Sequence, residues 1–284
     1  MMIQALIKRH LKIFLRDRWA VFFSFLSVII ILVLFTVFFR NAFGDLTETT
    51  EGTYLINGWI FSGVLMVATV TVPLGFLGIM VTDRETNAIN DFYVAPIGRS
   101  TIVISYLIAA IIIGSVLGFI NLIVGQLYIF LMVQTFLPLM TNILLILLII
   151  LSTTLFSSLF FYVVTFIKTS NSHGTLSTLV GTLIGFLAGL YVVVGNLPNI
   201  TRYIMGLLPT LQLASLFRLV YMDEAMDLIF QDNVDIRETQ TFLLGIRIEV
   251  GSFELTEPFL VLFSLLWIGL FVTLSIMRLK AFKK

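Results

Sequence analysis

Long apolar runs separated by short charged stretches dominate the pattern of this chain. Six segments, at about 20–39, 55–81, 101–132, 141–167, 175–196 and 259–277, contain no Asp, Glu, Lys, Arg or His. Each is near or above the ~20 residues that a helix needs to cross a bilayer. The runs are continuous, unlike the alternating segments of a barrel, and hydrocarbon offers no partner to free backbone groups, so each is expected to be helical. An all-α membrane protein with six transmembrane helices follows, forming one transmembrane domain over residues 1–284. The first run is too long for a signal-peptide core, and Phe39-Arg40-Asn41 offers no small-residue cleavage site, so it is read as a retained span.

The pieces between the runs have their own periodicity. Over residues 1–19, Ile3, Leu6, Ile7, Leu11 and Phe14 recur at helical spacing, while Gln4, Lys8, Lys12 and Arg16 form an i, i+4 row. This predicts an amphipathic helix in the membrane plane, apolar side among acyl chains and basic row among anionic headgroups, with Trp19 at interfacial depth. In the 82–100 loop, Thr82 and Glu85 have the form of a capping box, Pro96 blocks continuation, and Ile89, Phe92 and Tyr93 share a face. The short amphipathic helix so predicted must rest its aromatic face on the membrane, on the bundle or in a groove of a partner. Within 197–258, the apolar pieces 203–213 and 216–222 are too short to span, and 223–257 is rich in acids, as a hydrated outer surface is.

Charge orients the layout. Lys8, Arg9, Lys12, Arg16, Arg18, Arg84, Arg99, Lys168, Arg278, Lys280, Lys283 and Lys284 fall on one side, against Arg40, Arg202, Arg218, Arg237 and Arg247 on the other. The positive-inside rule therefore places both termini in the cytoplasm.

Composition removes whole classes of function. Apolar residues make up 59% of the chain and charged residues 12%, about half the charge of a soluble domain. A net charge of +1 argues against nucleic acid as a partner, and the absence of cysteine excludes thiolate metal sites and cysteine nucleophiles. His10 and His173 lie far apart without metal-ligand spacing and are expected on the solvated surface, so no metal site is predicted. No phosphate-binding loop or G-x-S-x-G elbow occurs, so no catalytic residue is assigned. The six runs also lack the ionisable residue on which proton- or ion-coupled carriers rely.

Within the runs, Ser177, Gly181, Gly185 and Gly189 form a small-xxx-small stripe that lets another helix approach closely. Asn57, Thr69, Thr71, Asn121 and Gln126 are candidates for lining a pathway or for bonding between helices, and Pro73 permits a kink.

The stretch G-I-M-V-T-D-R-E-T-N-A-I-N-D-F-Y-V-A-P-I-G-R-S-T-I resembles the loop after the second span of type-2 ABC transporter permeases, the transmembrane halves of bacterial ABC exporters. Asp83, Arg84, Glu85, Thr86, Asn87, Asn90, Phe92, Tyr93, Pro96 and Arg99 match the order of that motif, with Asn87 where many members carry Gly. L-P-T-L-Q-L-A-S-L-F-R, residues 208–218, is similar to a second family feature, a Pro followed about nine residues later by an Arg. The likeness extends over almost the whole chain.

It implies the ABC-2 (type V exporter) permease fold, with re-entrant helices in 197–258 forming an outer gate. It further implies a second permease chain, identical or related, and two copies of a separate ABC ATP-binding subunit that hold the ATP and Mg2+; this chain itself binds no cofactor. Asp83, Arg84, Glu85, Asn87, Ile89, Asn90, Phe92 and Tyr93 would contact the ATPase, with Ile89, Phe92 and Tyr93 as anchors of a coupling helix. Ser177, Gly181, Gly185 and Gly189 would mark the meeting surface of the two permeases. The expected activity is export of an amphipathic or hydrophobic substrate across a bacterial plasma membrane. Export of a polysaccharide or lipid-linked glycan is the near alternative, and a secondary carrier or a toxin-immunity protein the distant ones.

Overall fold

A single helix, buried over most of its surface, stands at the centre of the bundle. This is α2 (Thr50–Glu85), whose side chains from Tyr54 to Val81 are almost all interior. It is apolar on every face, as a helix at the centre of a bundle must be. The computed structural model describes residues 2–22, 29, 30, 33, 49–94, 98–230, 233–251 and 253–281. Most of the first expected span, 20–39, together with Pro96, Asp232, Lys283, Lys284 and the side chains of Tyr93, Arg99 and Lys280, lies outside the described residues.

The other elements are α1 (Met2–Arg16), α3 (Ile89–Val94), α4 (Arg99–Val133), α5 (Leu139–Val164), α6 (Ser170–Leu187), α7 (Asn199–Gly206), α8 (Pro209–Phe230), α9 (Val234–Leu243), a two-stranded hairpin of β1 (Glu249–Val250) and β2 (Phe253–Glu254), and α10 (Glu257–Ala281). Helices α4, α5, α6 and α8 pack around α2, and α10 lies outside them against α5 and α8. Among the described residues, α2, α4, α5 and α10 are long and apolar enough to cross a membrane. Helices α7 and α8 meet at an 87° bend, and the pair reaches spanning length only if taken together. The chain is therefore a multi-pass membrane protein.

Close packing of α4 depends on glycines. A Cβ on Gly114 would lie 2.5 Å from Thr153 Cγ2 and 3.0 Å from Pro73 Cγ, and one on Gly118 would lie 2.6 Å from Ile149 Cγ2. This Gly-x-x-x-Gly face is a close interhelical seam, whereas the stripe on α6 behaves differently. A Cβ on Gly181 would meet open space, and Gly185 makes room for the ring of Tyr191, further along its own chain. Gly189 is outside the helix altogether: α6 stops at Leu187, and Gly189 turns the chain at φ +65°. The fifth run, expected to continue to 196, is thus broken some nine residues early, because the Leu190 and Tyr191 amides fold back onto the Gly185 carbonyl at 2.8 and 3.2 Å.

The C-terminal end of α2 corrects a second expectation. Thr82 and Glu85 are no capping box, since α2 continues through both and ends on Thr86. The chain reverses at Asn87, φ +60°, before α3 begins. Only Gly enters that left-handed region freely and Asn is the next most tolerant, which gives the Asn-for-Gly exchange its physical sense.

Candidate functional site

The three charges at the end of α2 point to four other elements of the same chain. Asp83 is buried and accepts two parallel bonds from Arg9 of α1, Nη1 at 2.8 Å and Nη2 at 3.0 Å, and a third from Tyr106 Oη of α4 at 2.5 Å. Burial works to raise its carboxyl, but the Arg9 and Tyr106 bonds outweigh it and hold the pKa below the ordinary carboxylate value. Arg84 donates to the Val164 carbonyl at 3.2 Å, at the C-terminus of α5, where a cation is favoured. Glu85 accepts from the Ser170 amide at 2.9 Å and from the Ser170 hydroxyl, at the N-terminus of α6. Those bonds lower its pKa. Thr169 caps the same helix by accepting from the Ser172 amide at 3.2 Å. The charges of this cluster join α1, α4, α5 and α6 to α2.

On α3, Ile89 and Phe92 are also turned inward. Ile89 is buried, and the half-buried Phe92 ring lies 4.8 Å beneath the Arg9 guanidinium. A six-residue helix does not keep such side chains in water when the apolar core lies beside it. Asn87, Asn90 and Asp91 are left exposed.

Both histidines are buried, contrary to the surface positions expected. His10 stacks on Tyr106 with centroids 3.8 Å apart, and its Nε2 lies 3.0 Å from Ser105 Oγ. Arg9 can only donate, so His10 Nδ1, 3.2 Å away, accepts and Nε2 carries the proton. Burial, helped by the Arg9 charge, lowers the imidazole to about 4, so it is neutral at physiological pH. His173 packs against Gly78 and reaches the Leu74 carbonyl at 3.0 Å, and its pKa is likewise lowered by burial. Helix α1 thus docks on the bundle through Leu6, His10 and Phe14, which occupy the side assigned from sequence to acyl chains.

At the other end of α2, Arg218 of α8 is wholly buried. It donates to the Ala188 and Gly189 carbonyls at 2.8 and 2.7 Å and to the Gly245 carbonyl at 3.3 Å, and it lies over the Trp59 ring at 5.5 Å. These carbonyls close α6 and α9, so the negative ends of two helix dipoles converge on one cation. Gly245, at φ +68°, permits the approach: a Cβ there would sit 2.7 Å from Arg218 Nη1. Trp59 Nε1 adds a bond to the Leu244 carbonyl at 3.1 Å. Sequence reasoning noted Arg218 as a motif residue without a role. The available signal was an ionisable residue within a short apolar stretch.

The polar residues proposed for a pathway separate into two groups. Thr69 bonds Ser152 of α5 at 2.7 Å, Gln126 bonds Asn142 at 2.6 Å, and Thr71 bonds back to the Val67 carbonyl at 3.0 Å. Asn57 and Asn121 are buried, and neither polar atom of the Asn121 side chain has a protein partner. Among the described residues, no cluster of His, Asp and Glu is of metal-binding size.

A search of curated proteins returns no match. The family model described as ABC-2 type transporter matches residues 1–222 of the 284, taking in the Asp83 joint, α3, the bent α7–α8 pair and Arg218. The chain belongs to the ABC-2 type transporter family and is a multi-pass membrane protein of it.

Proposed function

We propose that the chain is the permease subunit of an ATP-driven exporter that works with a separate ATP-binding subunit. It pairs with a second permease chain, identical or related, and the assembly docks two ATPases, which hold the ATP and Mg2+. The observation that carries this reading is the mounting of α3. Its apolar side is tied through Phe92, Arg9 and Asp83 to the inner end of α2, while Asn87, Asn90 and Asp91 remain exposed for a partner. Closure of the ATPases would move α3, and the bonds of Asp83, Arg84 and Glu85 would pass that movement to α1, α5 and α6. The open Cβ direction of Gly181 supplies a face for the second permease. The bias of basic residues supports a cytoplasmic position for α1 and α3, and the family resemblance supports a bacterial plasma membrane. The cargo is amphipathic or apolar, because a pathway without a charged wall has little electrostatic hold on a polar solute.

Co-purification from the native host tests the reading. An ATPase should accompany the native chain and be lost from an Asn90→Arg, Asp91→Arg variant that remains folded. Phe92→Ala should keep the ATPase but uncouple its hydrolysis from the permease. Absence of an ATPase from the native preparation, or its undiminished retention by the doubly substituted chain, overturns the proposal.

A further inference from the structure

One face of α1 has no part in the joint with α2. Leu6, His10 and Phe14 are buried on the bundle, whereas Lys8, Lys12 and Arg16 are exposed. At 100° per residue the two rows stand about 160° apart. None of the ion pairs among the described residues involves Lys8, Lys12 or Arg16. Beside them runs an open groove of about 430 Å³, lined among the described residues by Ala5, Lys8, Arg9, Lys12, Ile13 and Arg16, with no acid. Large apolar side chains stand exposed nearby: Ile13, Leu15, and Trp19 with Phe22 edge-on at 6.1 Å. Three unpaired cations next to exposed aliphatic and aromatic groups match the boundary of a bilayer, where phosphates lie beside acyl chains. An acidic protein surface would satisfy the cations but leave the apolar groups in water.

We infer that this groove is a regulatory site for the phosphate-bearing headgroups of anionic phospholipid, read out by Arg9. The inference rests on the chain lying in a bilayer and is independent of the ATPase. The Arg9 side chain, 33% exposed, lines the groove while its guanidinium holds Asp83 and covers Phe92. A headgroup phosphate on its open side competes for the same donors. An anionic bilayer therefore slackens the Arg9–Asp83 pair and loosens α3, and a zwitterionic bilayer leaves the joint closed.

The chain has no cysteine, so Ala5→Cys places a single fluorophore in the groove without removing a cation. The full chain is reconstituted in phosphatidylcholine vesicles carrying either brominated phosphatidylglycerol or brominated phosphatidylcholine. Phosphatidylglycerol should quench preferentially, with the preference falling about fivefold for each of Lys8→Gln, Lys12→Gln and Arg16→Gln and surviving Lys8→Arg with Lys12→Arg. These substitutions leave the buried stripe of α1 intact. Amide exchange over residues 83–94 should quicken in the anionic vesicles. Equal quenching by both lipids, or an undiminished preference in the triple Gln variant, overturns the site, and unchanged exchange overturns the readout through Arg9. Inorganic phosphate should compete no better than chloride at equal ionic strength; specific displacement would indicate a soluble-anion site and overturn the lipid assignment. Equal quenching together with loss of the ATPase from the triple variant would assign the face to an acidic protein surface instead.

Discussion

Two arginines fasten helices at opposite ends of α2, roughly 36 Å apart along its axis by the rise per residue, and they are held by different chemistry. Arg9, at the end proposed to be inner, is partly exposed and faces a carboxylate. Arg218, at the end proposed to be outer, is wholly buried and faces backbone carbonyls and the Trp59 ring. An ion pair with a titratable partner and access to water is released by protons, by a competing anion or by a modest movement. A guanidinium locked onto the ends of two helices has no such release, because separating it strands a buried charge and three carbonyls together. The Arg9 end of α2 is built to let go, and the Arg218 end to hold until a larger force arrives.

The outer clamp gives the largest expected effect. Arg218→Met removes all three bonds at a wholly buried position, and about 3–5 kcal/mol of stability should go with it, in the range for breaking a buried charged interaction. Arg218→Lys should recover part of this, since an ammonium donates but lacks the planar fork that reaches α6 and α9 together. The unfolding midpoint in detergent measures both. A Met variant as stable as the native chain would end the distinction between the two arginines.

The inner joint should yield less, and should yield to pH. Asp83→Asn keeps the shape but not the charge, and water reaches Arg9, so about 1–3 kcal/mol is expected, in the range for a bond to a charged group. Both titrating groups at the joint have depressed pKa values. Each therefore contributes stability that is complete above its ordinary value and is lost as pH falls towards its folded value. For His10 that window runs from 6.5 down to about 4, and for Asp83 it lies below 3.8. His10 is faced by Arg9, Asp83 and Tyr106, and His10→Gln keeps a donor and an acceptor there without a titration. The fall in unfolding midpoint across the His10 window should become shallower in that variant. His173, also depressed by burial, should sustain the remaining slope. An unchanged slope would mean that the docking of α1 is not what acid weakens.

How legible these two ends were in the sequence differs for a physical reason. The apolar runs located α2, α4, α5 and α10 to within a few residues, because span length is fixed by bilayer thickness and read locally. The amphipathic period of residues 2–16 likewise anticipated α1. What the runs could not reveal was the partner of each polar group. Arg9 and Asp83 are 74 positions apart, and Arg218 is 29 from Gly189. The burial of His10 and His173 has the same origin, since a histidine between basic and apolar neighbours is interior only if a distant Tyr106 or Leu74 closes over it. The glycine seam was present in the sequence of α4 as Gly114 and Gly118, but the longer stripe on α6 drew the reading instead. Repetition of small residues shows where a close approach is allowed, and the facing side chain decides where it happens.

The smallest expected effect distinguishes the two ends at single backbone positions. Each end has a left-handed residue, Asn87 at the inner joint with φ +60° and Gly245 at the outer clamp with φ +68°. At Gly245 the conformation and the space are both restrictive, because Arg218 occupies the place a Cβ would take. At Asn87 the side chain is exposed and only the conformation matters. Replacing Asn87 by Gly removes the steric penalty of the left-handed region but adds freedom to the unfolded chain, and the two terms oppose each other within about 1 kcal/mol. The unfolding midpoint of Asn87→Gly should thus stay close to that of the native chain. Asn87→Val should fall clearly below both, since a β-branched residue is a true outlier at positive φ. If Val were tolerated there as well as Gly, the turn would be rearranging freely. The bonds of Asp83, Arg84 and Glu85, rather than the backbone reversal, would then be what holds α3 in place.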